Sequence, residues 1–222
     1  MSKLDKSNDI KFLQSLNILY IKVTFEDYYS TTQEEKDDLT ELTSLTSVVE
    51  IKENTEPMKD RNIKIFISHS SKDEEIVKAF VNLLTDIGIK DPNQLFCSSY
   101  PPFDVKLNDD IFETLKEQYQ KYSLYMIYML SNNYYQSPVS LNEMGAGWVL
   151  QYDYLCVLLP GFSPNDVKGC VNNRKKAMLL DSDKLKYELN TFKDSLVNMM
   201  GVPAIDNNLW EQKRDQFIDS IR

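Results

Sequence analysis

Ile63-Lys-Ile-Phe-Ile-Ser-His-Ser-Ser-Lys-Asp-Glu-Glu-Ile-Val-Lys-Ala-Phe-Val-Asn-Leu-Leu-Thr-Asp-Ile-Gly88 changes its hydrophobic period part of the way along. Ile63–Ser68 is a short run rich in β-branched and aromatic residues, which reads as a strand. From Ser71 onward Ile76, Ala79, Phe80, Leu83, Leu84 and Ile87 recur at steps of three and four, the spacing of one helix face, and Gly88 supplies a C-terminal stop. A strand thus feeds directly into a helix.

The same unit repeats downstream. Leu95-Phe-Cys-Ser98 reads as a second strand, Tyr100-Pro-Pro-Phe-Asp104 as a loop, and Asp109 to Tyr122 as a helix opened by an acidic cap. Leu124–Leu130, a helical region over about 131–151, Tyr154–Leu159, a short strand at Ala177–Leu180 and a helix over Asp183–Met200 continue the alternation. Strands that are continuously apolar and separated by helices predict an α/β domain, with a doubly wound parallel sheet of five strands covered on both faces. Ligands of such sheets sit beyond the carboxyl ends of the strands. The loops after Ser68, Ser98 and Leu130 therefore border any site.

Composition narrows the function. The chain has 222 residues, a net charge of −9 and a sequence pI near 4.7. That balance argues against nucleic acid, whose binders rely on clustered Lys and Arg. The longest apolar runs, Leu124–Leu130 and Tyr154–Leu159, fall far short of the roughly 20 residues that cross a bilayer. No secretory h-region is visible near Met1, so a cytoplasmic protein with no membrane partner is expected. Cys97, Cys156 and Cys170 show no metal-site spacing, and His69 is the single histidine, so neither a disulfide scaffold nor a metal centre is expected. Residues 1–60 differ from the rest, with thirteen Asp and Glu against seven Lys. Ile10, Leu13, Leu16, Ile18 and Ile21, then Leu39, Leu42, Leu45 and Val49, fit two amphipathic helices in a small N-terminal extension. Pro57 marks its boundary, because the residue before a proline is driven out of the helical region.

Three stretches taken together carry a resemblance. Phe66-Ile-Ser-His-Ser-Ser-Lys-Asp-Glu-Glu-Ile76, Phe96-Cys-Ser-Ser99 with its following loop, and Ser137-Pro-Val-Ser-Leu-Asn-Glu-Met-Gly-Ala-Gly-Trp148 look like a bacterial Toll/interleukin-1 receptor (TIR) domain. The match runs from about Asn62 to Gly201. It implies a flavodoxin-like domain at residues 61–201, flanked by the extension at 1–60 and a C-terminal helix at 202–222. It further implies self-association through TIR domains, contacts with other defence-system proteins, and a role in bacterial antiphage defence or stress signalling. Many members cleave the nicotinamide–ribose bond of NAD+, giving ADP-ribose or a cyclic isomer, with NAD+ as substrate and no cofactor. The position matching their catalytic glutamate is Glu143. Ser68, His69, Ser70, Ser98, Phe103, Asn142 and Tyr134 are the residues expected around the substrate. At one place the chain departs from the pattern: several members carry an aromatic residue four positions before the glutamate, where this chain has Val139, and Tyr134 or Tyr135 is the alternative stacking face.

The chemistry suits a lone carboxylate. Nicotinamide leaves as a neutral molecule, so no general acid is needed, and the ribose passes through an oxocarbenium-like cation that one carboxylate can stabilise. Gly145-Ala-Gly147 is a poor helix interior, which predicts that the sheet or a ligand packs closely there. A structural role for Glu143 competes with this, because Ser140-x-x-Glu143 has the form of a capping box, as does Ser71-x-x-Glu74 at the first helix. His69 reads as a satisfied loop residue, Phe103 as either a base-stacking ring or a loop anchor, and Trp148 as core. Two further readings stand beside the NAD+-cleaving enzyme: a non-catalytic TIR adaptor acting through TIR–TIR contacts, and a nucleoside deoxyribosyltransferase-like enzyme, against which the His-Ser-Ser-Lys-Asp segment argues.

Overall fold

Alternation along the strands sets the architecture. The computed structural model describes residues 62–172 and 174–222, all within the unit Glu56–Arg222. The expected N-terminal helices lie outside the described residues. Five strands, β1 (Ile63–Ser68), β2 (Leu95–Phe96), β3 (Ser123–Leu130), β4 (Tyr154–Leu158) and β5 (Met178–Leu179), form one sheet in the order β2-β1-β3-β4-β5, with every pairing parallel. This is the expected flavodoxin-like α/β arrangement. β1 and β3 pair along their whole shared length, from Ile63 opposite Ser123 to Ser68 opposite Tyr128. Among the described residues no helix is long and apolar enough to cross a membrane.

Successive strand side chains point to opposite faces, so each strand feeds two cores. Ile65, Ile67, Ile127 and Met129 face one layer, built by α1 (Glu74–Ile87), α4 (Leu185–Met200) and α5 (Asn207–Ser220). There Phe80 of α1 stacks on Phe192 at 5.8 Å and meets Phe217 edge-on at 6.0 Å. Phe66, Leu124, Met126, Tyr128 and Leu130 face the other layer, built by α2 (Ile111–Lys121) and α3 (Pro138–Val149). Gly88 ends α1 at φ +116°, a left-handed conformation that glycine adopts without steric penalty, and its N–H bonds back to the last turn. Asp110 caps α2, accepting from the N–H groups of Phe112 and Glu113.

Both expected capping boxes are replaced by other starts. The first helical segment opens as a 3₁₀ turn, Ser71–Asp73, capped by Ser70, and α1 proper begins only at Glu74. α3 begins three residues earlier than the Ser140-x-x-Glu143 pattern requires. Its N-cap is Ser137, whose hydroxyl accepts from Ser140 N–H at 3.3 Å, and Pro138 takes the first helical position, where a missing N–H costs nothing. Glu143 consequently lies in the middle of α3 and does not cap it.

The register of α3 also explains its glycines. Ser140, Glu143, Met144 and Gly147 face inward, whereas Leu141, Asn142 and Trp148 face solvent. Trp148 is 62% exposed, in contrast to its expected place in the core, because the neighbouring Gly147 occupies the contact with the sheet. A methyl group on Gly147 would collide with the Tyr128 hydroxyl and stand 3.3 Å from Met126 Cγ, while one on Gly145 would meet nothing within 4 Å. The close packing expected at these glycines is therefore between Gly147 and the sheet. Gly147→Ala is expected to destabilise the fold by about 1–3 kcal/mol through overpacking, and Gly145→Ala to stabilise it by up to about 1 kcal/mol through helix propensity, both read by chemical denaturation.

Candidate functional site

Ser68 is the last residue of β1 and points to the α3 side of the sheet, beside Tyr128. With both faces covered, its hydroxyl has no water to turn to and must find partners in the protein. It finds two. Glu143 Oε2 lies 2.6 Å away and Tyr134 Oη 2.9 Å away. Tyr134, from a 3₁₀ turn at Tyr134–Gln136, also reaches the carbonyl of Ser140 in the first turn of α3 at 2.9 Å. The Ser140 hydroxyl donates to the carbonyl of His69 at 2.9 Å, so α3 is tied to the end of β1 by two separate routes.

Glu143 is 6% exposed, and burial pushes its pKa up from 4.5 to about 7, with the Ser68 hydroxyl as the opposing influence. Among the described residues no cation acts on it. A buried carboxylate without a counter-charge is expensive for a fold, and such groups concentrate where chemistry is done.

The remaining expected residues divide. His69 is buried. Its Nδ1 lies 3.2 Å from the Ile67 carbonyl, which can only accept, so Nδ1 carries the proton and Nε2 accepts from Ser99 Oγ at 2.6 Å. Burial lowers its pKa, the ring is neutral, and it is a satisfied loop residue as the sequence suggests. Ser70 is buried and caps the 3₁₀ turn. Phe103 is 4% exposed within the α1-side core, its ring stacked on Tyr100 at 6.4 Å, so it anchors the loop and is not displayed for base stacking. Tyr134 is fully buried, which corrects its expected role as a stacking face; its hydroxyl is what the site uses. Tyr135 is no substitute, since its hydroxyl bonds the backbone of Lys168 and its ring stacks on Phe162. Ser98 and Asn142 are exposed, and Val139 is 41% exposed at the start of α3.

Sequence reasoning missed a second cluster beside this one. Asp73 leaves its own helix uncapped and takes hydrogen bonds from Ser131 Oγ at 2.5 Å and Asn133 Nδ2 at 2.7 Å, while Ser131 Oγ accepts from Tyr134 N–H at 3.0 Å. The connection after β1 thereby fixes the turn that carries Tyr134. Its only sequence signal is the position of both segments at strand carboxyl ends. A cavity of about 450 Å³ lies elsewhere, at the β4–β5 edge, bounded among others by Cys156, Val167, Arg174, Lys184 and Glu188. None of the expected site residues lines it.

No family model matches the chain. It is similar to an uncharacterized protein of Bacillus subtilis (strain 168), YddK, with 38% identity over 159 residues, or 72% of this chain and 57% of that relative's length. The chain thus spans little more than half of its relative.

The raised pKa makes a signed prediction about stability. The acid form of Glu143 is favoured by the fold, so its contribution is complete below pH 4.5 and is lost as pH rises through about 7. The full difference is about 3 kcal/mol. Glu143→Gln, which cannot ionise, is expected to be about 2–3 kcal/mol more stable than the wild type at pH 8, with the gain shrinking as pH falls towards 5, measured by urea denaturation at each pH. A variant no more stable than wild type at pH 8 would show that the carboxylate is compensated.

Proposed function

We propose that this chain cleaves the nicotinamide–ribose bond of NAD+, with Glu143 as the catalytic carboxylate. The observation that carries this reading is an uncompensated buried carboxylate beyond the end of β1, where parallel sheets bind their ligands. The resemblance of Phe66–Ile76 and Ser137–Trp148 to TIR domains supports it, since it sets a catalytic glutamate at the same residue. As C1′ parts from nicotinamide, the bond's electron pair goes to the pyridinium nitrogen and positive charge develops on the ribose. An ionised Glu143 stabilises that charge, and in a site this dry the attraction is screened far less than in water. Water then adds at C1′ and loses a proton, giving ADP-ribose; a nucleophile from the adenine end would give a cyclic isomer instead. Ser68 orients the carboxylate and His69, neutral and engaged with Ser99, takes no proton.

Only the ionised form of Glu143 stabilises a cation, so activity rises as pH increases through about 7 and falls roughly tenfold per unit below it. Self-association in a bacterial defence or stress response is the proposed activating event. A non-catalytic adaptor is the second reading, favoured by the exposed apolar side chains Leu107, at 91%, and Ile111, at 55%, ahead of and within the first turn of α2.

Purified protein incubated with NAD+, with and without a crowding agent that promotes assembly, is expected to release nicotinamide on chromatography. Glu143→Gln is expected to lose at least about a hundredfold of that rate, the scale of a lost electrostatic contact in a transition state. Wild-type inertness under both conditions would favour the adaptor, and activity retained by Glu143→Gln would remove the residue from the chemistry.

A further inference from the structure

Glu143, Ser68, Tyr134 and the Ser140 carbonyl form an unbranched run of three contacts, at 2.6, 2.9 and 2.9 Å. A hydrogen bond needs one hydrogen, and each hydroxyl brings one. Ser68 and Tyr134 together supply two hydrogens for three contacts. The third contact is a hydrogen bond only when Glu143 itself carries a proton. Then Glu143 donates to Ser68, Ser68 to Tyr134, and Tyr134 to the Ser140 carbonyl. When Glu143 is ionised, Ser68 turns to donate to the carboxylate and Tyr134 turns to donate to Ser68. The Ser140 carbonyl then loses its tyrosine partner.

We propose that Tyr134 is a positioning residue that acts through Ser68 to hold Glu143 in its acid form, so that ionising Glu143 reverses both hydroxyls and frees the first turn of α3 from Tyr134. Its meaning for catalysis rests on the reading of Glu143 given above; the hydrogen count does not. Among the described residues no other titratable group competes for the role. Tyr119 reaches the Glu143 backbone carbonyl from α2 at 3.4 Å, Tyr128 faces α3 from β3, and Cys97 follows β2. All three, like Tyr134, are held neutral by burial, with Glu143 adding to the effect. Tyr135 is engaged with the backbone of Lys168, and His69 with Ser99 and Ile67. In the resting arrangement the acid form therefore has one more hydrogen bond than the ionised form. The site is poised with its carboxylate unarmed, and whatever separates Tyr134 from Ser140 arms it.

The test is a carbon-13 NMR titration of the Glu143 carboxyl in wild type, Tyr134→Phe and Ser68→Ala. The wild-type midpoint is expected near 7. Tyr134→Phe removes the extra bond of the acid form and is expected to make ionisation about fivefold easier, moving the midpoint down. Ser68→Ala cuts the run between Tyr134 and Glu143, so adding Tyr134→Phe to Ser68→Ala is expected to leave the Ser68→Ala midpoint unmoved. General loosening would admit water and lower the midpoint in the Ser68→Ala background as well, so a further fall there overturns the proposal, as does an unmoved midpoint in Tyr134→Phe alone. Should Tyr134→Phe fail to fold, the Tyr134 ring carbon bearing the hydroxyl is followed in the wild type. It is expected to step at the Glu143 midpoint, and its failure to do so also overturns the proposal. If the wild type releases no nicotinamide, the catalytic reading fails while these midpoints still decide the hydrogen-bond run. If it is active, the acid limb of its pH–rate profile is expected to shift with the same variants.

Discussion

Burial of both faces of β1 and β3 is the constraint from which the rest follows. Beyond the exposed Ile63 and the half-buried Ser123 and Tyr125, the side chains on these strands have no solvated face to retreat to, so each is apolar or must find a partner inside the protein. Lys64 shows the rule at the start of β1. Its ammonium donates to Gln118 at 2.8 Å and lies 4.4 Å from the Tyr122 ring centre, and burial, with Lys121 nearby, pulls its pKa down to about 8. Ser68 shows it at the other end, where the partner is Glu143. Two polar side chains at opposite ends of one strand are thus matched by two different helices, α2 and α3.

The match at Ser68 sets a tension within the fold. α3 is held to β1 by Ser140 on the His69 carbonyl and by Tyr134, but the same embrace encloses a carboxylate with no cation beside it among the described residues. A purely structural design would place a neutral residue there. Under the proposed function, stability is given up there for reactivity, the pattern seen where active sites break a local rule that the surrounding structure obeys.

The sheet was legible because each of its strands is short, mostly apolar and separated from the next by turn or helix signals, with Gly88 as the clearest stop. The starts of α1 and α3 were less so. Ser140-x-x-Glu143 satisfies a capping pattern on paper, and the competing signal, Ser137 followed by Pro138, is stronger because proline fits only the first turn. That three-residue difference turns Glu143 from a cap into an inward-facing residue. Trp148 was misplaced for a related reason: a helix whose sheet contact is a glycine leaves its largest neighbour outside. Tyr134 could be picked out as a candidate but not understood, because its hydroxyl meets Ser68 from 66 residues away and no local pattern encodes that meeting. Phe103 and His69 were both open to a bland reading, and loop burial decided each of them.

The chain has two tryptophans, and they report on opposite sides of the molecule. Trp210 is 3% exposed beneath α4 and bonded to Asn190, while Trp148 stands out from the helix that carries Glu143. Acrylamide would therefore quench one emitter and spare the other. The accessible fraction of the fluorescence is a built-in optical reading of the surroundings of α3, responsive to anything that settles on the helix and blind to the far layer of the domain.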